Sequence, residues 1–225
     1  VGAVGFLAAL VMLREPAARV RGDEARSIAG RMRSFSVAGA TRGVLFPLLI
    51  LTVLAFCMAG LESTFALWTE RQLHWGVREV SIFFLFIGFL MVLVQGGLVR
   101  PLSKRFGEGP LVVAGSLLMS AGFATVLIVY SPPMAFVGGI LIAVGFGLAN
   151  PSLSALISRN APDEHQGAAM GASQSAQSMC RILGPISAGA AFGAFGRDAP
   201  YLVGAILLFI GFLIAIRALK YVKRQ

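Results

Sequence analysis

The chain alternates long apolar runs with short polar islands. The runs cover Val44 to Trp68, Val80 to Val99, Leu111 to Tyr130, Met134 to Ile157 and Ala168 to Phe195, and a shorter one of 16 residues follows from Tyr201 to Ile216. A helix that crosses the hydrocarbon core of a bilayer needs about 20 mainly apolar residues, so each of the first five runs predicts one membrane-spanning helix. The sixth predicts one as well, because Leu219 and Tyr221 extend it while Arg217 and Lys220 can snorkel to the headgroups. The expected architecture is an all-α membrane protein, with a six-helix transmembrane bundle and a short tail over residues 44–225.

The region before the bundle divides in two. Residues 1–13, VGAVGFLAALVML, are apolar but too few to cross a bilayer, and they lack the basic leader and cleavage site of a secretory signal. They are expected to be the end of a truncated preceding transmembrane helix. Residues 14–43 are polar and basic and are expected to form a cytoplasmic central loop. Within it Ile28, Met32 and Phe35 recur at i, i+4 and i+7 among Arg26, Arg31 and Arg33, which suits a helix lying on the inner leaflet. A flexible connector suits the same composition.

Composition removes the soluble classes. With 57% hydrophobic and 13% charged residues, the chain has too little polar surface to coat a soluble globule of 225 residues. Its net charge of +9 does not point to nucleic acid, because the bases form islands between apolar runs instead of clustering on one soluble face. The partner that the charge implies is the lipid bilayer. If Arg14 to Arg42 face the cytoplasm, that side receives fifteen of the 19 Lys and Arg residues and the other side three, with Arg181 inside a span. The positive-inside rule then predicts a multi-pass protein of the plasma (inner) membrane with a cytoplasmic C-terminus.

Trp68, Trp75, Tyr130, Tyr201 and Tyr221 all fall at or just beyond the ends of runs, the places an interfacial aromatic belt occupies. Cys57 and Cys180 fall inside runs and behave there as small buried apolar residues. His74 and His165 stand alone in polar islands, without the company a metal site needs. No GxxxxGK, HExxH or GxSxG pattern is present, so neither an enzyme, a cofactor nor a metal centre is expected.

The most polar island between spans is SRNAPDEHQGAAMG, residues 158–171. Asn160 or Asp163 can cap the next helix, Pro162 suits its first turn, and Asp163 and Glu164 suit its positive N-terminal dipole. Charges inside a bilayer are costly and hence functional candidates, and two qualify. Glu62 lies roughly 9 Å outward from the midplane at about 1.5 Å per residue, inside a hydrocarbon half-thickness of about 15 Å. Arg181 lies near the middle of the fifth run. Uncharged candidates for the same pathway are Gln95, Asn150, Gln174 and Gln177; spacings of three and four put Gln174, Gln177 and Arg181 on one helix face. Either a transport pathway or interhelical bonding explains such a stripe. Gly184 with Pro185, and Pro151 after a glycine-rich stretch, mark close packing or bending.

One stretch carries a family likeness. Residues 150–185, NPSLSALISRNAPDEHQGAAMGASQSAQSMCRILGP, resemble the loop between the tenth and eleventh helices of the major facilitator superfamily, in its tetracycline and multidrug efflux branch. The matching positions are Pro151, the LIS stretch ending at Ser158, Pro162, Gln166, Gly167, Gly171, Ser175, Arg181, Gly184 and Pro185. RPLSKRFGEGP, residues 100–110, resembles the loop between helices eight and nine: Arg105 and Gly107 fit its motif, whereas Arg100, Lys104 and Glu108 replace its first Gly, its Asp and its following base. LREPAAR at 13–19 resembles the exit from helix six.

The resemblance implies the C-terminal half of a twelve-helix secondary transporter, with a small-molecule site facing an N-terminal six-helix half that is a further partner. It implies proton-coupled export of a small amphipathic or drug-like molecule, and it makes Arg105, Gly107, Pro162, Gln166 and Gly167 candidates for a cytoplasmic gating loop. A self-standing half that dimerises, and a non-transporting membrane receptor or scaffold, are the alternatives.

Overall fold

The computed structural model describes residues 42–222. The expectations for residues 1–13 and for nearly all of 14–43, and the belt position of Tyr221, lie outside the described side chains. Helix α1 spans Arg42–Leu73 and α2 spans Val77–Leu93. A π-helical turn, Val94–Leu98, carries α2 without a break into α3, Val99–Phe106, so that residues 77–106 form one rod. Then come α4 (Glu108–Val126), α5 (Pro132–Asn160), α6 (Gln166–Phe195) and α7 (Ala199–Val222). No strand occurs among the described residues.

Five of the six rods are both long enough and apolar enough to cross a membrane, which makes the chain a multi-pass integral membrane protein. The exception is α6. At 30 residues it has the length, but Ser173, Gln174, Ser175, Gln177, Ser178 and Arg181 leave it more polar than the apolar run expected there. The last rod departs in the other direction: α7 has 24 residues, which a run of 16 understated.

Local signals set the rod ends. Pro132 and Pro133 open α5, where a missing N–H costs nothing, and the Glu79 Oε2 atom accepts from the Gly76 N–H at 2.9 Å to close the first turn of α2. Gly107 turns α3 into α4 at a φ of +81°, a conformation that a side chain disfavours.

Packing without water between the helices relies on backbone approach. Gly115 and Gly122 on α4 face Gly145 and Gly138 on the antiparallel α5, each pair two turns apart. A Cβ on Gly115 would sit 2.5 Å from the Gly145 carbonyl oxygen, and one on Gly145 would sit 2.6 Å from that of Gly115. The parallel pair α1 and α6 meets the same way, with the Cβ position of Gly184 at 2.9 Å from the Ala59 Cβ and 3.0 Å from the Phe56 carbonyl. Helix α7 closes the bundle against α1 and α4, where the Ser120 hydroxyl donates to the Ala205 carbonyl at 3.0 Å.

The aromatic residues at rod ends do not form the lipid-facing belt that their positions suggested. Trp68 and Tyr201 are 1% and 0% exposed, and Trp75 is buried as well; among the described Trp and Tyr side chains only Tyr130, at 79%, points outward. For Trp68 and Tyr201 the polar atoms explain this, because each finds a partner inside the protein. Trp68 Nε1 donates to Asp198 Oδ1 at 2.8 Å, and the hydroxyls of Thr64 and Tyr201 pair at 3.1 Å. With the Gln72 Nε2 donating to the Val129 carbonyl at 2.6 Å, these bonds clasp α1 to α7 and to the end of α4 at the end of the bundle away from residues 158–171.

The glycine contacts predict that Gly115→Leu lowers stability by about 3 kcal/mol or more, since backbone stands where the side chain must go. Gly189→Ala, which has nothing within 4 Å of the new Cβ, should leave it unchanged or slightly raised. Thermal unfolding of the two variants in detergent measures the contrast.

Candidate functional site

Helix α1 packs against both α5 and α6, whereas α5 and α6 touch each other only sparingly. The three rods therefore leave a trough with α1 as its back wall. Two contacts put their ends at one level: the Asn160 side chain reaches the Gly43 carbonyl, and Gln166 reaches Ser158. Counting about 1.5 Å per residue from that end, Gln174, Asn150 and Gln177 stand about 12, 15 and 16 Å along their helices, Arg181 about 22 Å and Glu62 about 28 Å. The polar candidates thus share the middle of the rods, with Glu62 towards the far end.

Glu62 and Arg181 are exposed on the bundle surface, and among the described residues neither belongs to an ion pair. Gln174 is exposed too, and Gln177 is half-buried with its amide at 3.4 Å from the Ser173 carbonyl. Asn150 is half-buried on α5. Gln95 joins it from the π turn, its Cγ 3.8 Å from the Cβ position of Gly147, one turn before Asn150.

The two prolines of these helices add acceptors at the same level. A proline inside a helix has no N–H for the carbonyl four residues back. Pro151 in α5 frees the carbonyl of Gly147, and Pro185 in α6 frees that of Arg181. Backbone groups of this kind are tolerated at membrane depth where they line a cavity or meet protein. At this depth the rods thus carry one carboxylate, one guanidinium, amide side chains and two carbonyls without a helical N–H partner.

A second polar cluster sits at the 158–171 end. Glu108, in the first turn of α4, pairs with Arg159 at the end of α5 at 2.7 Å and accepts from the Ser103 hydroxyl at 3.1 Å. Both charges stand at the helix ends whose dipoles favour them. Gln166 closes the elbow, donating from Nε2 to the Ser158 carbonyl and hydroxyl at 3.0 and 2.8 Å. Of the other loop candidates, Arg105 lies over the Phe106 ring at 5.2 Å, while Pro162 is exposed and Gly167 has open space around it.

The capping expected in the elbow is not found. A 3₁₀ turn, Asp163–His165, precedes α6, whose N-terminus receives no side-chain cap. Asn160 is spent elsewhere: its Nδ2 donates to the Gly43 carbonyl at 3.1 Å. Pro47, four residues on, has no N–H to give that carbonyl. The asparagine of one helix thus supplies the hydrogen bond that a proline removed from another.

Residues 98–225, more than half of the chain, match the model of the Major Facilitator Superfamily. The chain belongs to that superfamily. The match is to a family of transporters and not to one of enzymes. Similar curated members include the Tetracycline resistance protein, class C, of Escherichia coli, 29% identical over 175 residues, or 75% of this chain and 44% of that protein. Multidrug resistance protein 1 of Bacillus subtilis (strain 168) is 25% identical, covering 92% of this chain and 52% of its own length. Among solved structures, the human organic anion transporter MFSD10 (TETRAN) superposes with a TM-score of 0.73 at 21% identity, over 90% of this chain and 50% of that one. The chain spans about half the length of the curated relatives it matches.

Within this superfamily chain, two features of the site escaped sequence reasoning. The π turn that carries Gln95 could have been suspected from Gly96 and Gly97, which have nothing within 4 Å of a Cβ and weaken a regular helix. The role of Asn160 depended on a contact 117 residues away. Asn160→Ala should cost about 1 kcal/mol. In a Pro47→Ala background, where an N–H again reaches Gly43, that cost should largely vanish. A double-mutant cycle on thermal unfolding measures the coupling.

Proposed function

We propose that this chain forms one six-helix half of a secondary transporter that exports a small amphipathic, drug-like molecule in exchange for protons. The observation that carries the reading is Glu62, an exposed carboxylate within a membrane-spanning helix that has no ion-pair partner among the described residues. An ionisable group at such depth has a high solvation cost, which makes protonation from the trough a natural partner to substrate movement. A carboxylate and a guanidinium towards the far end of the rods, with amides nearer their middle, suit a ligand bearing both polar and apolar parts. The names of the relatives, tetracycline resistance and multidrug resistance, support the same substrate class.

A six-helix partner supplies the facing wall. The exposed apolar side chains of α2 and α6, such as Leu85, Phe89, Ile182 and Ile186, support such a contact, as does the match to about half of each relative. The side that carries residues 100–108 and 158–167 is the cytoplasmic one, where Arg105, Gly107, Pro162, Gln166 and Gly167 form the moving loops and the Glu108–Arg159 pair braces them.

The test is tetracycline transport by the full-length protein in proteoliposomes. Glu62→Gln should reduce uptake driven by an imposed pH gradient at least tenfold, on the order of 1.4 kcal/mol, while gradient-free exchange of tetracycline continues. Gradient-driven uptake at the unsubstituted rate would remove the proton role from Glu62.

A further inference from the structure

A wedge-shaped cavity of about 80 Å³ opens between α1, α6 and α7, lined by Phe56, Gly60, Gly184, Ala188, Tyr201 and Leu207 among others. Gly60 and Glu62 stand about 200° apart around α1 at 3.6 residues per turn, so the wedge lies on the other face of α1 from the trough. It follows α7 from Pro200 to Leu207, about 10 Å of helix, and Val203, 49% exposed, forms its lip.

Water has little to bind there. The polar groups of the lining are already engaged: the Tyr201 hydroxyl with Thr64, the Ser187 hydroxyl with the Leu183 and Gly184 carbonyls, and the Cys57 thiol with the Gly204 carbonyl at 3.8 Å. A water needs two to four polar partners, so hydrocarbon is the better filling. Because α1 and α7 are both membrane-spanning, the hydrocarbon within reach is a lipid chain.

The mouth of the wedge is charged. Arg71 is exposed, with its Cζ 4.9 Å from the centre of the Phe192 ring, one turn beyond Ala188 on α6. Arg197, three residues before Pro200, donates to the Arg71 carbonyl at 3.4 Å. Two acids share this rim. Asp198 stands 3.7 Å from Arg197 and already accepts from Trp68, and Glu70 lies about 100° around α1 from Arg71. Arg71 itself has no acid within 4 Å among the described residues.

We propose that the wedge and its rim form a seat for one glycerophospholipid, with an acyl chain between α6 and α7 and the phosphate on the Arg71 guanidinium. Arginine suits the phosphate because its fork of N–H donors matches two oxygens at once. The chain fills space that the small side chains of Gly60, Gly184 and Ala188 leave open, and the lipid braces α6 where its own contacts to α7 are sparse.

Native mass spectrometry of the full chain in detergent, with dioleoylphosphatidylglycerol or dioleoylglycerol added, tests this. One phospholipid should be retained per chain, roughly tenfold more than the phosphate-free lipid. Arg71→Gln should abolish that preference, and Ala191→Phe, which fills the wedge, should abolish retention of both lipids. Because Arg71 is exposed, its substitution leaves the packing intact and tests the phosphate contact even if Ala191→Phe fails to fold. Equal retention of the two lipids by the unsubstituted chain, phospholipid retention indifferent to Arg71→Gln, or displacement of the phospholipid by equimolar inorganic phosphate would overturn the proposal.

Discussion

A backbone N–H or carbonyl left unpaired in hydrocarbon costs several kcal/mol, and the rest of this structure depends on how that cost is avoided. Continuous helices satisfy most of the groups internally. The prolines inside helices are the exceptions, and each exposes a carbonyl four residues earlier. At Pro47 the gap is closed by a side chain from another helix, Asn160. At Pro151 and Pro185 the freed carbonyls stand at the level of the trough's polar side chains. The same rule thus fastens one end of the bundle and leaves two acceptors at mid-rod depth.

The second constraint is the absence of a hydrophobic force between helices that already lie in lipid. Contact then requires backbones to come close, which the Gly115–Gly145 and Gly60–Gly184 approaches achieve. The distribution of such contacts shapes the functional surface. Tight pairing of α4 with α5, and of α1 with α6, leaves α5 and α6 apart, and that separation is the trough. Helix α6 can be the most polar rod because only one stripe of it, from Ala169 through Cys180, Gly184 and Ala188 to Phe192, is buried in the bundle.

Hydrogen bonds at the two ends complete the scaffold with different chemistry. At one end, the Glu108–Arg159 pair and the Gln166–Ser158 contacts hold loops whose sequences resemble the corresponding loops of the superfamily. At the other, Trp68, Thr64, Gln72, Asp198 and Tyr201 bind α1 to its neighbours through buried polar atoms. These aromatic residues carry polar tips, so their place at rod ends in the sequence fits a lipid interface and an internal clasp equally well; only the presence of Asp198 and Thr64 across the interface selects the clasp.

The sequence by itself determined what depends on composition and local period: the number of rods, their approximate limits, the membrane as solvent, and the few ionisable groups inside it. Those properties follow from solvation of consecutive residues, and consecutive residues are what a sequence presents. Tertiary structure decided the rest. It brought Gln95 to the turn before Asn150, turned Asn160 from a helix cap into a donor for Gly43, and drew Trp68 inward. Each of these depends on which face of one helix meets which face of another, and that choice is made by steric fit between residues far apart in the chain, where no local pattern records it.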